Sequence, residues 1–198
     1  MGAVDLILAS ASPRRKELLE RIGYSLSVVP ADIDETPQAG EQPEKLVVRL
    51  AEEKAEAVFS KIQNGWVLAA DTIVIRDGVA LGKPESSTAA ESMISSLAGR
   101  SHQVTTAFAI RGHMSAVSSV TTDVRLRELS TDEVADYVKT GEWLGKAGGY
   151  AVQGIAASFV AAVSGSITNV IGLPLSEVVG AFRELGGPMP ALTSGKPS

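Results

Sequence analysis

The chain has 198 residues, of which 44% are hydrophobic, 21% charged and 5% aromatic, a composition typical of a globular protein. Its net charge of -5 and pI near 5.1 argue against nucleic-acid binding, which needs a cationic surface. The lack of cysteine excludes disulfides and thiolate sites, and 2 histidines are too few for a histidine-rich metal centre. Any metal is therefore expected to be a hard cation held by carboxylates and phosphate oxygens.

The first fifteen residues run from apolar to basic, whereas a signal peptide has the opposite order. Apolar stretches elsewhere in the sequence are too short to span a bilayer. We therefore expect a cytoplasmic protein that does not bind membranes.

The first half of the chain alternates between predicted strands and helices. A proline at the first helical position begins two of the helices, and the dipeptide Asp77-Gly78 predicts a hairpin turn leading towards Leu81. The predicted strands cover 4–9 and 66–76, and the predicted helices cover 13–23, 43–62 and 86–97.

The second half is richer in strands, which are predicted over 103–111, 116–126 and 159–163. Ser130 and Glu133 have the spacing of a capping box and predict a helix to Lys139, and a last helix is predicted over 173–185. This order predicts one α/β domain over 1–185, built on a mixed sheet bent into two lobes with a cleft between them. Residues 186–198 are rich in Pro, Gly and Ser, and we expect them to form a flexible tail.

Cations are concentrated at the start of the first predicted helix, directly after Ser10 and Ser12. Arg14, Arg15 and Lys16 fall in its first turn, where the helix dipole disfavours each cation by about 0.3–1 kcal/mol. The same position offers free backbone N–H groups that bind anions. Two interpretations stay open for this motif: a phosphate-binding site or a solvated basic patch.

Two charged residues interrupt apolar patterns. Lys54 shares a helical face with Val47, Ala51 and Val58, so its ammonium either finds a partner or cleft, or extends past the edge of the core. Asp71 lies in the middle of an apolar strand, where a carboxylate needs a cation, a metal or several hydrogen-bond donors. A catalytic or metal-binding role is favoured for Asp71 over a structural one.

Weaker signals come from an acidic loop with Asp32, Asp34 and Glu35, from Lys83 in a tight Gly-Lys-Pro connection, and from Gln153. Gln153 is read as an amide in an apolar strand, suited to a base edge or to satisfying backbone groups. Taken together, several cations, a few carboxylates and one amide suit a magnesium triphosphate and a carboxylate that activates water. They do not suit a serine triad or redox chemistry.

The motifs occur in an order that resembles the Maf, or septum formation inhibitor, family over roughly residues 5 to 185. An ordered set of motifs is far more specific than any one of them. The matching segments are 10–15 with 17–19, 34–36, 51–55, 70–72, 82–84, 146–154 and 171–174.

The resemblance implies a fold like that of the inosine triphosphatases, with a long bent mixed sheet, flanking helices and a nucleotide in the cleft. It implies a nucleoside triphosphate pyrophosphatase that uses a divalent cation, Mg²⁺ or Mn²⁺, and forms a homodimer. Asp71 would be the catalytic carboxylate, and Glu35 would help it hold the metal. The triphosphate would be held by six residues: Ser10, Ser12, Arg14, Arg15, Lys54 and Lys83.

The family divides by base preference, and the branch acting on dTTP and UTP is similar to this chain at Arg14, Thr72 and Gln153. The branch acting on 7-methyl-GTP typically has Gln directly after the catalytic Asp, so Thr72 favours the pyrimidine branch. Two alternatives stay open: a 7-methyl-GTP pyrophosphatase, and a nucleotide-binding regulator of cell division without catalysis.

Overall fold

The computed structural model of the chain describes residues 6–62 and 64–191. The first two residues of the strand predicted over 4–9, and residues 192–198 of the predicted tail, lie outside this part. Within the described residues, Ala191 N donates a hydrogen bond to the carbonyl of Gly23 at 3.0 Å. No helix in the described ranges combines the length and the apolar character needed to cross a bilayer.

The strands form one mixed sheet, as predicted. In chain order they are β1 Leu6–Leu8, β2 Leu26–Val28, β3 Trp66–Arg76, β4 Val79–Leu81, β5 Ser101–Arg111, β6 Ser115–Leu126 and β7 Val160–Ser164. Their order across the sheet is β2-β1-β3-β5-β6-β7, with β4 paired to the far end of β3. β1 is parallel to β2 and β3, and the remaining pairs are antiparallel.

The helices that flank the sheet are α1 Pro13–Arg21, α2 Pro43–Phe59, α3 Ser87–Leu97, α4 Thr131–Lys139, α5 Ile167–Ile171 and α6 Leu175–Leu185. The capping box of α4 is present, because Ser130 and Glu133 each bond to the other's backbone N–H. The predicted helix over 173–185 begins later, at Leu175, since Gly172 ends the short α5 with a φ of 126°. The sequence did not predict α5 or β2.

The core lies on both faces of the long central strands. On one face, Leu68 and Phe108 pack with Leu19 of α1 and Phe182 of α6, all fully buried. On the other face, α2 packs against small residues of β3 and β5 such as Ala69 and Ala109. Burying each large apolar side chain contributes about 1.5–3 kcal/mol, so these two layers hold α1 and α2 firmly on opposite faces of β3.

The cleft follows from the different lengths of β1 and β3. β1 ends at Leu8, and Ala9 N donates to the Leu68 carbonyl at 2.8 Å, whereas β3 continues to Arg76. The chain after β1 therefore turns away into α1 beside the second half of β3, which extends beyond its pairing with β1. The turn at Asp77 and Gly78, with φ of 52° and 77°, has the left-handed backbone of a tight hairpin and leads β4 back along β3.

Candidate active site

A cleft of about 530 Å³ opens where the loop after β1 and the start of α1 face the second half of β3. Every residue to which the family resemblance gives a role lines it, and so do several residues of the segment 144–153. These candidates are Ser10, Ser12, Arg14, Arg15, Glu35, Lys54, Asp71, Thr72, Lys83 and Gln153. The fold therefore brings together residues that lie as far apart as 10 and 153 in sequence.

Lys54 joins two carboxylates at the floor of this cleft. Its side chain extends from α2, is only 8% exposed, and places Nζ 2.6 Å from Asp71 Oδ1 and 2.7 Å from Glu35 Oε1. The buried ammonium is therefore paired, and it does not extend past the core edge. With two carboxylates against one ammonium, this cluster has a net negative charge before any ligand binds.

Glu35 is held in its ionised form by its neighbours. Burial opposes ionisation, but the hydrogen bond and charge of Lys54 outweigh it, and Lys83 and Arg15 add to the effect, so the pKa of Glu35 is lowered. The acidic loop contributes one residue to the cleft, since neither Asp32 nor Asp34 lines it. Asp34 instead accepts a hydrogen bond from Thr36 N at 2.9 Å, which stabilises the loop that carries Glu35.

Arg15 anchors the loop and strand walls of the cleft to one another. Its Nε donates to the Gly172 carbonyl at 2.8 Å, Nη1 to Ser10 Oγ at 3.0 Å and Nη2 to Thr72 Oγ1 at 3.0 Å. Burial lowers the pKa of Arg15, and the nearby Asp71 carboxylate works against that shift. Each guanidinium nitrogen is thus fixed by protein, with further N–H groups left to face a ligand.

The N-terminus of α1 also faces the cleft. Pro13 occupies the first turn, Ser12 makes no side-chain cap, and the first turn contains no acidic residue. Ser12 N donates to Ser10 Oγ at 3.2 Å, which shapes the preceding loop. The unsatisfied N–H groups of a helix start attract anions, and Arg14 in the same turn adds a full positive charge.

Lys146 is a cleft residue that the sequence analysis did not single out. It lines the cleft, and its Nζ donates to the backbone carbonyl of Glu142. Burial, together with the positive charge of Arg14, lowers the pKa of Lys146. The one sequence feature that could have pointed to Lys146 is its place between Gly145 and two further glycines. Such a pattern indicates an irregular loop more often than a functional residue.

Gln153 lies in a turn and is exposed, so its interpretation as part of an apolar strand was wrong. The sequence there is apolar because Tyr150 and Ala156 pack into the core on either side of the turn. Glu142 holds the segment after Gln153 in place, because its carboxylate accepts hydrogen bonds from Ile155 N at 2.7 Å and Ala156 N at 3.1 Å. The amide of Gln153 is thus positioned at the rim of the cleft.

A divalent cation fits this site only with ligands from a substrate. Among the described residues, no group of three or more acidic or histidine side chains is arranged to hold a metal on its own. Asp71 and Glu35 do converge, since each places an oxygen against the same Lys54 ammonium. Hard cations prefer such oxygens and readily share them with phosphates.

Comparison with known families agrees with the motif order. The family described as "Maf-like protein" matches residues 5–185. The chain belongs to the Maf family.

Relatives within the Maf family cover nearly the whole chain. A protein of Myxococcus xanthus named dTTP/UTP pyrophosphatase is 48% identical over 185 residues, covering 93% of this chain and 94% of that protein. One of a Geobacter species with the same name is 49% identical, covering 92% and 96%. Among solved structures, the Staphylococcus aureus Ham1 protein matches with 19% identity and a TM-score of 0.43, covering 62% of this chain and 71% of that one.

Proposed function

We propose that this Maf-family chain hydrolyses dTTP and UTP to the nucleoside monophosphate and pyrophosphate. The observation that carries the proposal is the pair of carboxylates bridged by Lys54, inside a cleft whose other walls supply cations and a helix N-terminus. The names of the Maf relatives, which are nearly half identical to this chain over almost its full length, support the same substrates.

In this proposal Asp71 is the catalytic base. Its carboxylate takes a proton from a water molecule as the water oxygen bonds to the α-phosphorus. The bond from the α-phosphorus to the bridging oxygen breaks, and pyrophosphate leaves with that oxygen. Lys54 sits against Asp71 in the free protein, so it can fix the carboxylate and then meet the charge that grows on the phosphates.

The triphosphate is held by the cations and hydroxyls that line the cleft: Ser10, Ser12, Arg14, Arg15, Lys54 and Lys83. A chain with a net charge of -5 can bind a polyanion in this way because its cations converge at one place. Glu35 and Asp71 would hold the divalent cation, Mg²⁺ or Mn²⁺. When bound, such a cation neutralises phosphate charge and makes a coordinated water more acidic.

Base preference is assigned to Arg14, Thr72 and Gln153, which face the same cleft from three separate elements. We also propose that the protein acts in the cytoplasm as a homodimer, on the basis of the family resemblance, with 1–185 as its single domain. Size-exclusion chromatography with light scattering measures the oligomeric state.

The decisive experiment measures pyrophosphate release from dTTP, UTP, CTP, GTP and 7-methyl-GTP with Mg²⁺ or Mn²⁺. Asp71→Asn is assayed beside the wild type and should lose activity by about a thousandfold or more. Turnover of dTTP and UTP by the wild type supports the proposal. Preference for 7-methyl-GTP would overturn the base assignment but not the reaction. Nucleotide binding without any turnover would show that the protein is a non-catalytic regulator and not an enzyme.

A further inference from the structure

Thr72 is a member of a closed ring of hydrogen bonds at the back of the cleft. Arg15 Nη2 donates to Thr72 Oγ1 at 3.0 Å, Thr72 Oγ1 lies 2.9 Å from Thr106 Oγ1, and Thr106 Oγ1 donates to the Asn169 carbonyl at 2.9 Å. Gly172 N donates to that carbonyl at 2.9 Å, and Gly172 returns to Arg15 through the 2.8 Å bond to Nε. The ring therefore joins β3, β5, α5 and α1.

The ring determines the direction of the bond between the two threonines. A hydroxyl carries one proton and two lone pairs. The proton of Thr106 is committed to the Asn169 carbonyl, which is an acceptor only, so the proton between the threonines must come from Thr72. The opposite direction would leave Thr106 Oγ1 and a carbonyl oxygen 2.9 Å apart without a proton between them.

The surroundings of Thr106 keep this arrangement in place. Thr106 and Asn169 are both fully buried. The Asn169 side chain accepts from Thr106 N at 3.1 Å and donates to the Val104 carbonyl at 2.8 Å and to Thr122 Oγ1 at 2.9 Å. With every polar group of Asn169 in use, neither residue can turn without leaving a buried group unpaired, which costs about 1–3 kcal/mol.

It follows that Thr72 has no proton to offer the cleft, which its side chain lines. One lone pair accepts from Arg15, the proton goes to Thr106, and a second lone pair is left. We propose that Thr72 is an obligate hydrogen-bond acceptor for the base, and that Thr106 determines base specificity from outside the cleft by taking the Thr72 proton. This inference rests on the proposed function, in which Thr72 faces the base.

An obligate acceptor distinguishes pyrimidines by chemistry alone. Uracil and thymine carry an imide N–H at ring position 3, which donates to such an acceptor. Cytosine has an unprotonated nitrogen there, and two acceptors facing each other repel. Thr72 therefore selects UTP and dTTP against CTP, and sites built on such complementarity discriminate strongly because a mismatch leaves a polar group unpaired.

The test compares Thr106→Val with Thr105→Val. Thr106→Val removes the oxygen that accepts the Thr72 proton. The Thr72 hydroxyl can then turn its proton towards the ligand. Thr105 is the matched control, because it is the adjacent buried threonine and its Oγ1 bonds at 2.9 Å to Thr121, whereas Thr106 Oγ1 bonds at the same distance to Thr72. Calorimetry measures the affinities of the α,β-methylene analogues of UTP and CTP, which release no pyrophosphate.

We expect Thr106→Val to lower the affinity ratio of the UTP to the CTP analogue by about tenfold or more, and Thr105→Val to leave it at the wild-type value. Thr106→Ser, which keeps the hydroxyl, should restore the ratio. An unchanged ratio in folded Thr106→Val protein overturns the inference. If neither analogue binds the wild type, the proposed function fails instead.

A second measurement uses only the wild type, so it tests the inference even if Thr106→Val does not fold. The α,β-methylene analogue of 3-methyl-UTP keeps both carbonyls of uracil but lacks the imide proton. We expect it to bind the wild type about tenfold or more weakly than the UTP analogue. Equal affinity would show that no acceptor reads that position and would overturn the inference.

Discussion

Lys54 Nζ lies 2.6 Å from Asp71 Oδ1, so the ammonium of α2 is bonded to the proposed catalytic carboxylate of β3 before any nucleotide arrives. The same nitrogen lies 2.7 Å from Glu35 Oε1, and the two carboxylates share one cation. Without that cation, two like charges would face one another in a partly buried site. Lys54 is therefore placed to hold the two carboxylates together, and its hydrogen bond and charge help to lower the pKa of Glu35.

Replacing Lys54 by Met should lower kcat/KM for UTP by about a hundredfold or more, because a cation that meets charge in the transition state is lost. The acidic limb of the pH–rate profile should also move to higher pH, since the hydrogen bond and charge of Lys54 lower the pKa of Glu35 and the variant lacks both. Steady-state kinetics from pH 5 to 9 measures both effects. Lys45→Met is the control, because Lys45 is an exposed lysine of the same helix outside the cleft. Equal activity of the two variants would contradict the prediction.

The sequence predicted those elements whose local signals agree with their tertiary contacts. The bounds of β3 were predicted correctly, because an apolar run ends at the Asp77-Gly78 turn. α4 was predicted from its capping box. α5 was missed because Ile167, Thr168, Val170 and Ile171 are β-branched and disfavour helix. Its conformation depends on Asn169, whose bonds to distant strands no local pattern reveals.

In the site, too, the residues marked by a local sequence pattern were predicted and those placed by tertiary contacts were not. Asp71 and Lys54 were found because a charge conflicts with an apolar pattern, and the structure places them in direct contact. Glu35 looked like any acidic loop residue, and its pairing with Lys54 depends on how the loop folds over α2. Lys146 was missed since its position depends on bonds to backbone carbonyls of its own loop. The proton direction at Thr72 likewise requires the geometry of Thr106 and Asn169.

His102 should make the protein lose stability in mild acid. It is 3% exposed, its Nε2 lies 2.6 Å from the Tyr150 hydroxyl, and burial lowers its pKa to about 4. In the unfolded chain the pKa is about 6.5, so the unfolded state binds a proton first as pH falls. Stability from the neutral imidazole is thus present above pH 6.5 and declines by about 3 kcal/mol towards pH 4.

Urea denaturation at intervals from pH 7.5 to pH 4 measures this loss. Carboxylates also titrate near the lower end of the range, so the comparison is with His102→Gln, which cannot ionise. The free energy of unfolding of the wild type should decrease more steeply than that of the variant between pH 6.5 and pH 4. Parallel curves would show that His102 does not contribute.

Two glycines with open space around them should respond to alanine in opposite ways. Gly180 lies inside α6 with ordinary helical φ, and a Cβ there meets nothing within 4 Å. Gly180→Ala should stabilise by about 0.5–1 kcal/mol and raise Tm by about 1–4 °C. Gly186 ends the same helix in the left-handed region, with φ of 67°, so Gly186→Ala should destabilise by about 1 kcal/mol. Thermal unfolding followed by circular dichroism tests the pair, and shifts of the same sign would contradict this account.

Glu142 should control substrate affinity through Gln153. Its carboxylate accepts from Ile155 N at 2.7 Å and Ala156 N at 3.1 Å, directly after the turn that carries Gln153. Glu142→Ala frees this segment, and we expect KM for UTP to rise by about tenfold with a small change in kcat, because the loop must be ordered when substrate binds. Water can replace the lost acceptors at this partly exposed position, so Tm should fall only slightly.

Gly154→Ala tests the same link without changing charge. A Cβ at Gly154 would collide with the Glu142 carboxylate, so the substitution should displace it from the two N–H groups. Both variants should then raise KM to a similar extent, and the double variant should add little, since either change alone breaks the contact. Glu177→Ala, at an exposed glutamate in the first turn of α6, is the control and should leave KM unchanged. Additive effects in the double variant would show that Glu142 and Gly154 act on Gln153 independently.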